Sequence, residues 1–221
     1  MTDREILSRV DHTLLRADAS WGEIKALCDE ALLHGVASVC IPPSYARAIR
    51  AEYGVAPAVC TVVGFPLGYS VAAAKALETK RALEDGAREI DMVINIGDVK
   101  NGRFDAVLDE IKAVKEACGK NVLKVIVETC YLGEDEKIRL CAVVTEAGAD
   151  FIKTSTGFGT AGATLADIAL FKAHVGSGVR IKAAGGIRTR EDLVAFIEAG
   201  ASRLGTSSAV KLLSDAQAAG Y

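Results

Sequence analysis

Two lysines occupy matching places in the chain, each at the end of a short apolar run and just before a turn of small residues. Lys153 precedes Thr-Ser-Thr-Gly at 154–157, and Lys182 precedes Ala-Ala-Gly-Gly at 183–186. A half-buried lysine close to a second positive charge loses proton affinity, and its neutral amine is then a nucleophile at neutral pH. The two lysines therefore indicate covalent amine chemistry on a carbonyl compound.

Short apolar runs that alternate with helical stretches must hold these lysines in place. The runs lie at 10–14, 36–41, 58–63, 89–96, 122–129, 150–154, 179–183 and 202–205. Helical periodicity fills the gaps, as at 21–33, 71–83, 104–117, 134–147 and 165–174. Near-copies of one glycine joint connect helical stretches to the runs that follow, at Gly35, Gly86, Gly148 and Gly200. The pattern predicts repeated βα units.

The number of units separates two α/β architectures. Eight βα units close into a (β/α)8 TIM barrel. The rival, an open doubly wound sheet, has fewer strands and a glycine-rich turn after its first strand, but residues 15–18 read Leu-Arg-Ala-Asp. We therefore predict an α/β fold with a single (β/α)8 barrel domain over residues 1–221. A short N-terminal helix and a C-terminal tail that is free to move complete this expectation.

Composition excludes several classes of partner. The 221 residues are 50% hydrophobic and 25% charged, with a net charge of −3 and no block of like charges. This charge provides no field for binding nucleic acid. No apolar stretch approaches the roughly 20 residues that span a membrane, and the N-terminus lacks the apolar core of a signal peptide. We expect a cytoplasmic protein that binds neither nucleic acid nor membrane.

The cysteines agree with this location. Six occur, without a C-x-x-C pair, and no Cys/His cluster has the spacing of metal ligands. We expect buried, reduced thiols and no zinc site.

Alternation along the strands predicts charges inside the barrel. One face of the run 89–96 is apolar throughout and should pack on helices, so the face that carries Asp91 points inward. The same alternation turns Lys124, Lys153 and Lys182 into the interior. Lys124 lies below its strand's end and is expected to pair structurally with Asp91. The other two lysines lie at strand ends, where barrel enzymes carry their active sites. A buried ion-pair network that serves stability alone is the alternative.

Two turns late in the chain are suited to an anion. The turns 185–188 and 205–208 follow the seventh and eighth runs, where many barrels bind phosphate, and the second turn opens a helix. Each turn can also be a simple helix cap, and this alternative stays open. The candidate phosphate ligands, with hydroxyl and glycine residues of the turn 154–157 included, are Thr156, Gly157, Gly185, Gly186, Gly205, Ser207 and Ser208.

Six blocks of sequence match one enzyme family, in family order and over nearly the whole chain. They are VDHT at 10–13, EIDMVINIG at 89–97, LKVIVET at 123–129, ADFIKTSTG at 149–157, IKAAGGIR at 181–188 and GTSS at 205–208. With these blocks the chain resembles the deoxyribose-phosphate aldolases, class I aldolases that work through a Schiff base. The two blocks that contain Lys153 and Lys182 are a highly specific signal for that family.

The resemblance implies reversible cleavage of 2-deoxy-D-ribose 5-phosphate into D-glyceraldehyde 3-phosphate and acetaldehyde, without a metal or another cofactor. It makes Lys153 the Schiff-base lysine, Lys182 the second lysine and Asp91 the aspartate of the proton relay. The two late turns become the phosphate-binding turns. Some members end in a tyrosine that assists proton transfer, so Tyr221 is a candidate for that role. The implied partners are a small phosphorylated sugar and aldehydes, and barrels of this kind often form homo-oligomers, dimers or tetramers.

Several residues have more than one interpretation from sequence. Phe158 stands where some members carry a lysine near the phosphate, and Arg188 is a candidate to replace that charge. His12 could touch substrate, and Cys40 could line the pocket or simply pack. Two other functions remain alternatives to the one implied. They are an imine-forming aldolase for a different phosphorylated sugar, and a non-catalytic barrel that binds a sugar phosphate.

Overall fold

Eight parallel strands close into a barrel, which confirms the predicted (β/α)8 fold. The computed structural model describes residues 1–218, with side chains through residue 214. The strands are β1 (Val10–Thr13), β2 (Ser38–Ile41), β3 (Val59–Val63), β4 (Glu89–Val93), β5 (Val122–Ile126), β6 (Phe151–Lys153), β7 (Arg180–Ala184) and β8 (Arg203–Thr206). They follow sequence order around the ring, and β1 pairs with β8 to close it.

Helices connect the strands. They are α1 (Asp3–Leu7), α2 (Trp21–His34), α3 (Ala46–Tyr53), α4 (Ala72–Glu84), α5 (Ile96–Lys100), α6 (Phe104–Cys118), α7 (Glu134–Glu146), α8 (Leu165–His174), α9 (Arg190–Ala199) and α10 (Ala209–Ala218). Within the described residues, none of these helices has the length and apolar character needed to cross a membrane. The predicted mobile tail and Tyr221 lie outside the described residues.

Local caps set where the helices begin and end. Ser20 caps α2, because its hydroxyl accepts a hydrogen bond from the Glu23 N–H while the Glu23 carboxylate accepts one from the Ser20 N–H. The same helix ends where Gly35 takes a left-handed φ of 65°, a conformation that glycine adopts without a steric penalty. The other joint glycines also have positive φ, so the repeated joint of the sequence is a repeated helix ending.

Two strands end three residues earlier than the apolar runs that predict them. β4 ends two residues before Asn95, whose side-chain oxygen caps α5. β5 ends two residues before Glu128, which has a left-handed φ of 56°. The strands predicted at 89–96 and 122–129 are therefore too long at their C-terminal ends. The helix cap at Asn95 and the turn at Glu128 continue the alternating pattern of a strand by chance.

Strand alternation separates an apolar layer from a charged interior. Ile90 and Met92 of β4 are fully buried in the main apolar cluster with residues of the surrounding helices, and Leu123 and Val125 of β5 repeat the pattern. The opposite faces point to the barrel axis and carry the charges. This is the orientation that the alternation predicts.

Candidate active site

Asp91 lies at the centre of the charges inside the barrel. Its Oδ2 is 2.7 Å from the Nζ of Lys153 and 2.7 Å from the Nζ of Lys182. Its Oδ1 accepts a hydrogen bond from Lys124 at 2.9 Å. The register explains this meeting, because β6 and β7 place Lys153 opposite Lys182, and β4 and β5 place Asp91 opposite Lys124. The structure thus brings together the four charges that strand alternation turns inward.

Asp11 is a member of this cluster that sequence reasoning missed. It lies on β1, is fully buried, and its Oδ2 contacts Lys182 while its Oδ1 contacts Arg203. Ser38 donates a further hydrogen bond to Oδ1 at 2.7 Å. The signal that could have found this residue is the presence of an aspartate within an apolar strand, since a buried aspartate cannot stay unpaired.

The lower end of the cluster is closed by a third carboxylate. Glu89 Oε2 is 2.6 Å from Lys124 Nζ and 3.0 Å from Arg203 Nη1. Among the described side chains, the connected cluster contains these carboxylates and cations: Asp11, Glu89 and Asp91, with Lys124, Lys153, Lys182 and Arg203. With every group ionised, four cations against three carboxylates would leave one surplus positive charge.

Electrostatics fixes the charge of most members. Burial alone would raise the pKa of Asp91, but the ammonium groups of Lys124, Lys153 and Lys182 hold it well below its ordinary value of 3.8. Burial alone would lower the pKa of Lys182, but Asp11 and Asp91 raise it far above 10.5. Lys182 is therefore a permanent cation next to Lys153 at neutral pH.

Lys153 differs from the other cluster cations because it also reaches a cavity. The cavity has a volume of about 410 Å³ and opens at the carboxyl ends of the strands. Lys124 and Lys182 are fully buried beneath it, whereas Lys153 lines its floor and is 3% exposed. Among the described residues of the cluster, Lys153 is thus the amine that a small carbonyl compound can reach.

The candidate phosphate ligands line the same cavity as Lys153. All of them contribute to its wall. Gly205 belongs to β8, and the others lie in the turns that follow β6, β7 and β8. Gly185 has a φ of 78°, and the backbone of Gly162 packs against it so closely that a Cβ on Gly162 would lie 2.3 Å from the Gly185 carbonyl carbon. The second turn leads directly into α10, and the first N–H groups of a helix favour an anion.

Thr156 lines the cavity, but its donors are already engaged. Its N–H lies 3.2 Å from both carboxylate oxygens of Glu128, and its hydroxyl donates to Oε2 of the same residue. Glu128 is 2% exposed. It therefore holds the turn 154–157 in place from the end of β5. Sequence reasoning missed this role because the left-handed backbone of Glu128 has no signature in the alternation.

The structure places His12 and Cys40, whose roles the sequence left open, in packing positions outside the cavity wall. His12 turns away from the barrel axis, and its Nε2 lies 2.9 Å from the Glu30 carboxylate on α2. Cys40 is 1% exposed and packs with Cys60 and Val62 below the cavity, whose wall it does not form. All six cysteines are free thiols, as their spacing predicts.

Among the side chains that the structure describes, two groups of donor atoms are close enough to hold a metal ion. One joins Cys40, Cys60 and Asp91, and the other joins Asp11, Cys60 and Glu89. Their carboxylates are already bound by lysine or arginine cations, which repel a divalent ion and occupy its lone pairs. The donor set suits an ion-pair network better than a metal, and the expected absence of a metal or cofactor stays a prediction.

The fold and the site define a class. A (β/α)8 barrel with a reachable lysine at its mouth, beside a buried cation and turns suited to an anion, has the features of an aldolase barrel, which makes and breaks carbon–carbon bonds. A model described as the DeoC/LacD family aldolase matches residues 6–217. The chain belongs to the DeoC/LacD aldolase family and is a lyase.

Full-length relatives and solved structures agree with this family. The chain is 60% identical over 221 residues to a deoxyribose-phosphate aldolase of Clostridium botulinum (strain Eklund 17B / Type B), which covers 100% of both chains. It is 56% identical to that of Clostridioides difficile (strain 630), covering 99% of this chain and 100% of the other. The tetrameric deoxyribose phosphate aldolase of Aeropyrum pernix has a TM-score of 0.88 at 32% identity, covering 99% of this chain and 93% of that one. QR15, an aldolase, has a TM-score of 0.91 at 37% identity over 96% of each chain.

Proposed function

We propose that the chain cleaves 2-deoxy-D-ribose 5-phosphate reversibly into D-glyceraldehyde 3-phosphate and acetaldehyde, through a Schiff base on Lys153. Full-length identity to deoxyribose-phosphate aldolases supports the substrate. The observation that carries the assignment of Lys153 is its position, because it joins the buried charge cluster to the cavity.

The charge cluster leaves Lys153 as the amine that attacks the substrate. Lys182 cannot take this role, since it is fully buried and Asp11 and Asp91 hold it as a cation. Lys153 can attack the C1 aldehyde that enters the cavity. The resulting carbinolamine loses water and becomes a protonated imine.

Carbon–carbon cleavage uses the imine as an electron sink. A water held by Asp91 and Lys182 takes the proton of the C3 hydroxyl, and the C2–C3 bond breaks. Its electron pair moves toward the imine nitrogen and forms an enamine, while C3 becomes the aldehyde carbon of glyceraldehyde 3-phosphate. Protonation of the enamine at C2 and hydrolysis of the imine release acetaldehyde and regenerate Lys153. Positioned proton transfer of this kind contributes about 10²–10⁴-fold.

The part of the cavity wall that the late turns form suits the phosphate of the substrate. We assign phosphate binding to Gly185, Gly186, Gly205, Ser207 and Ser208, whose turns follow β7 and β8. Thr156 and Gly157 shape the neighbouring wall. Binding at this remote end orients the carbonyl toward Lys153, so binding energy of the phosphate is used at the reacting carbon.

Three further parts of the proposal concern residues and properties beyond the site. Tyr221 is proposed to assist protonation of the enamine. A homo-oligomer, a dimer or tetramer, is proposed because the Aeropyrum pernix relative is described as tetrameric. A single barrel domain in the cytoplasm completes the proposal.

Reductive trapping tests the Schiff base. We expect acetaldehyde and borohydride to add an ethyl group to Lys153, which peptide mass spectrometry locates. Buried Lys182 should remain unmodified and serves as an internal control. A protein that only binds a sugar phosphate would stay unlabelled, and labelling of Lys182 alone would contradict the assignment. Ranking kcat/KM for deoxyribose 5-phosphate against other phosphorylated sugars then separates this aldolase from other imine-forming aldolases.

A further inference from the structure

The mouth of the cavity carries one guanidinium group. Among the described residues that line the cavity, Lys153 and Arg16 are the charged side chains, and the others are apolar, glycine or hydroxyl residues. Imine formation uses Lys153. Arg16 is therefore the lining cation that remains for a phosphate dianion, whose binding needs positive charge as well as backbone N–H groups.

The closure of the barrel brings Arg16 to the phosphate-binding turns. β1 pairs with β8, and His12 lies opposite Thr206 in the register. The loop 14–18 that follows β1 therefore adjoins the turn 205–208 that follows β8. Arg16 and Ser208 line the same cavity from these two neighbouring loops.

Two carboxylates orient the Arg16 guanidinium. Its Nη1 lies 2.9 Å from Asp18 Oδ1, and its Nη2 contacts Glu23 Oε1. Glu23 is itself fixed by the capping box at the start of α2, where the Ser20 N–H donates to Oε2 at 2.8 Å. Hydrogen bonds from the backbone and side chain of Ser20 lower the pKa of Glu23, which keeps its carboxylate charged. The Arg16 side chain is 53% exposed. Those of its five N–H groups that do not contact Asp18 or Glu23 therefore remain available to a ligand.

Neither Phe158 nor Arg188 supplies a positive charge at the cavity wall. Phe158 stands where some family members have lysine, and its ring packs edge-on against Phe65 with centroids 5.3 Å apart. Arg188, the sequence-based candidate, is exposed and does not contribute to the cavity wall, and its N–H donates to Asp192 at 2.9 Å. The position of Arg188 thus argues against the compensation that the sequence suggested.

We propose that Arg16 is the cationic phosphate ligand of this chain and takes the place of the lysine that Phe158 replaces. The inference rests on the proposed function. The substrate phosphate accepts hydrogen bonds from N–H groups of the guanidinium, and Asp18, whose side chain is 78% exposed, moves away from Arg16. An exposed ion pair of this kind is weak, so a phosphate dianion competes with it.

Matched arginine variants test this ligand. The experiment compares Arg16→Gln with Arg188→Gln on 2-deoxyribose 5-phosphate and on unphosphorylated 2-deoxyribose. Arg16→Gln should lower kcat/KM for the phosphorylated sugar about 10–100-fold, mainly through KM, and leave the unphosphorylated sugar within about twofold. Arg188→Gln should stay within about twofold on both sugars. Equal losses on both sugars for Arg16→Gln, or the phosphate-specific loss in Arg188→Gln, would overturn the proposal.

Restoring the charge from the other side of the cavity adds a second readout. The double variant Arg16→Gln/Phe158→Lys should recover a large part of the lost affinity for the phosphorylated sugar, and failure to recover any would contradict a charge-based role. Labelling of Lys153 by acetaldehyde and borohydride does not depend on phosphate and should persist in Arg16→Gln. If the wild-type chain is not labelled, the proposed function fails. If it is labelled but Arg16→Gln shows no phosphate-specific loss, only the role of Arg16 fails.

Discussion

At the scale of single residues, Asp91 is the group that connects the lysines inside the barrel. Its two oxygens contact three lysines at 2.7–2.9 Å, and these cations hold its pKa well below 3.8. A carboxylate with so little proton affinity is a weak base by itself. It is suited to orienting Lys153 and a water molecule next to the fixed cation Lys182.

Removing the amine of Lys153 should abolish turnover. We expect Lys153→Ala to lower kcat/KM by about 10⁴-fold or more, because no covalent intermediate can form, and to give no borohydride-dependent label. Lys153→Arg is the matched control. It keeps a cation next to Asp91 but forms no imine, so steady-state kinetics should show it to be equally inactive. Substantial turnover by either variant would rule out Lys153 as the nucleophile.

The sequence predicts the proposed reactive residues better than the residues that support them. Lys153, Lys182 and Asp91 stand out because an alternating strand turns each charge into an apolar interior. Asp11 was missed because β1 has four residues, too few for the alternation to show a direction. Glu128 was missed because its role depends on a left-handed backbone, and neither residue type nor spacing encodes that conformation.

At the scale of elements, the segment that follows β5 supports the wall of the cavity. Glu128 combines an unfavourable backbone conformation with a buried carboxylate that binds the N–H and hydroxyl of Thr156. Strain of this kind persists only where surrounding contacts compensate it. The contact with Thr156 is such a compensation, and it couples the end of β5 to the turn after β6.

Two variants separate the strain at Glu128 from its contact. Glu128→Ala removes the carboxylate but keeps a Cβ, whereas Glu128→Gly also relieves the left-handed backbone. We expect both to raise KM for the phosphorylated sugar, because the turn 154–157 loses its support. In urea unfolding, the glycine variant should be more stable than the alanine variant by about 1 kcal/mol. Equal stabilities would show that the backbone there is unstrained.

A buried ion pair outside the barrel supports another mouth loop. Lys75 of α4 is fully buried, pairs with Glu110 of α6, and donates to the carbonyls of Gly68 and Val93 at 2.5 and 2.8 Å. Glu110 also accepts the Asn95 N–H at 3.0 Å. The pair thus ties the loop after β3 to the end of β4. This loop carries the phenylalanine that packs against Phe158 at the cavity.

Breaking this pair should cost more than replacing it. We expect Lys75→Met to lower the free energy of unfolding by about 3–5 kcal/mol, because it leaves the Glu110 carboxylate buried without its cation. Adding Glu110→Gln should recover part of that loss, since the glutamine removes the charge and keeps the hydrogen bond to Asn95. Equilibrium urea unfolding measures both variants. A double variant less stable than Lys75→Met would contradict this account.

At the scale of the whole molecule, one charge cluster joins strands on opposite sides of the barrel. Asp11 on β1 and Asp91 on β4 share Lys182 of β7, and Lys124 of β5 connects both to Glu89. Ion pairs therefore connect strands across the barrel axis, in addition to the backbone hydrogen bonds that connect neighbouring strands. A titration that removes these charges acts on the entire barrel.

The pH dependence of stability follows from the signs of these shifts. Asp11 and Asp91 have folded-state pKa values below 3.8, so their contribution is fully present above pH 3.8 and is lost as pH falls through the lower folded values. Lys182 has a raised folded-state pKa, so its contribution is fully present below pH 10.5 and is lost only as pH rises further. We expect this cluster to stabilise the barrel fully between about pH 4 and pH 10.

Urea unfolding at several pH values checks this window. The variant Asp91→Asn should be less stable than the wild-type chain at pH 7 by several kcal/mol, about 3–5 for a broken buried pair. The difference should narrow below about pH 4, where the unfolded wild-type chain takes up protons on its carboxylates while the folded cluster does not. A difference that stays constant down to the acid transition would show that the charge of Asp91 does not stabilise the fold.

The sequence predicts the barrel as a whole with few errors, because eight apolar runs and repeated glycine joints leave one closed architecture. The errors lie at strand ends, at Asn95 and Glu128, where a cap or a turn overrides the alternation. Contacts between distant segments, such as Arg16 with the cavity or Lys75 with Glu110, depend on how loops adjoin in three dimensions. Sequence periodicity carries no information about them.

The pairing of Lys153 with Lys182 across β6 and β7 has a consequence for redesign. Backbone hydrogen bonds of the ladder, including Thr154 N–H to the Lys182 carbonyl at 3.1 Å, fix the spacing of the two amines. Loops at the rim can therefore be lengthened, shortened or exchanged to admit other aldehydes while the reactive centre keeps its dimensions. Insertion of one residue within either strand would instead turn a lysine outward and end the chemistry at once.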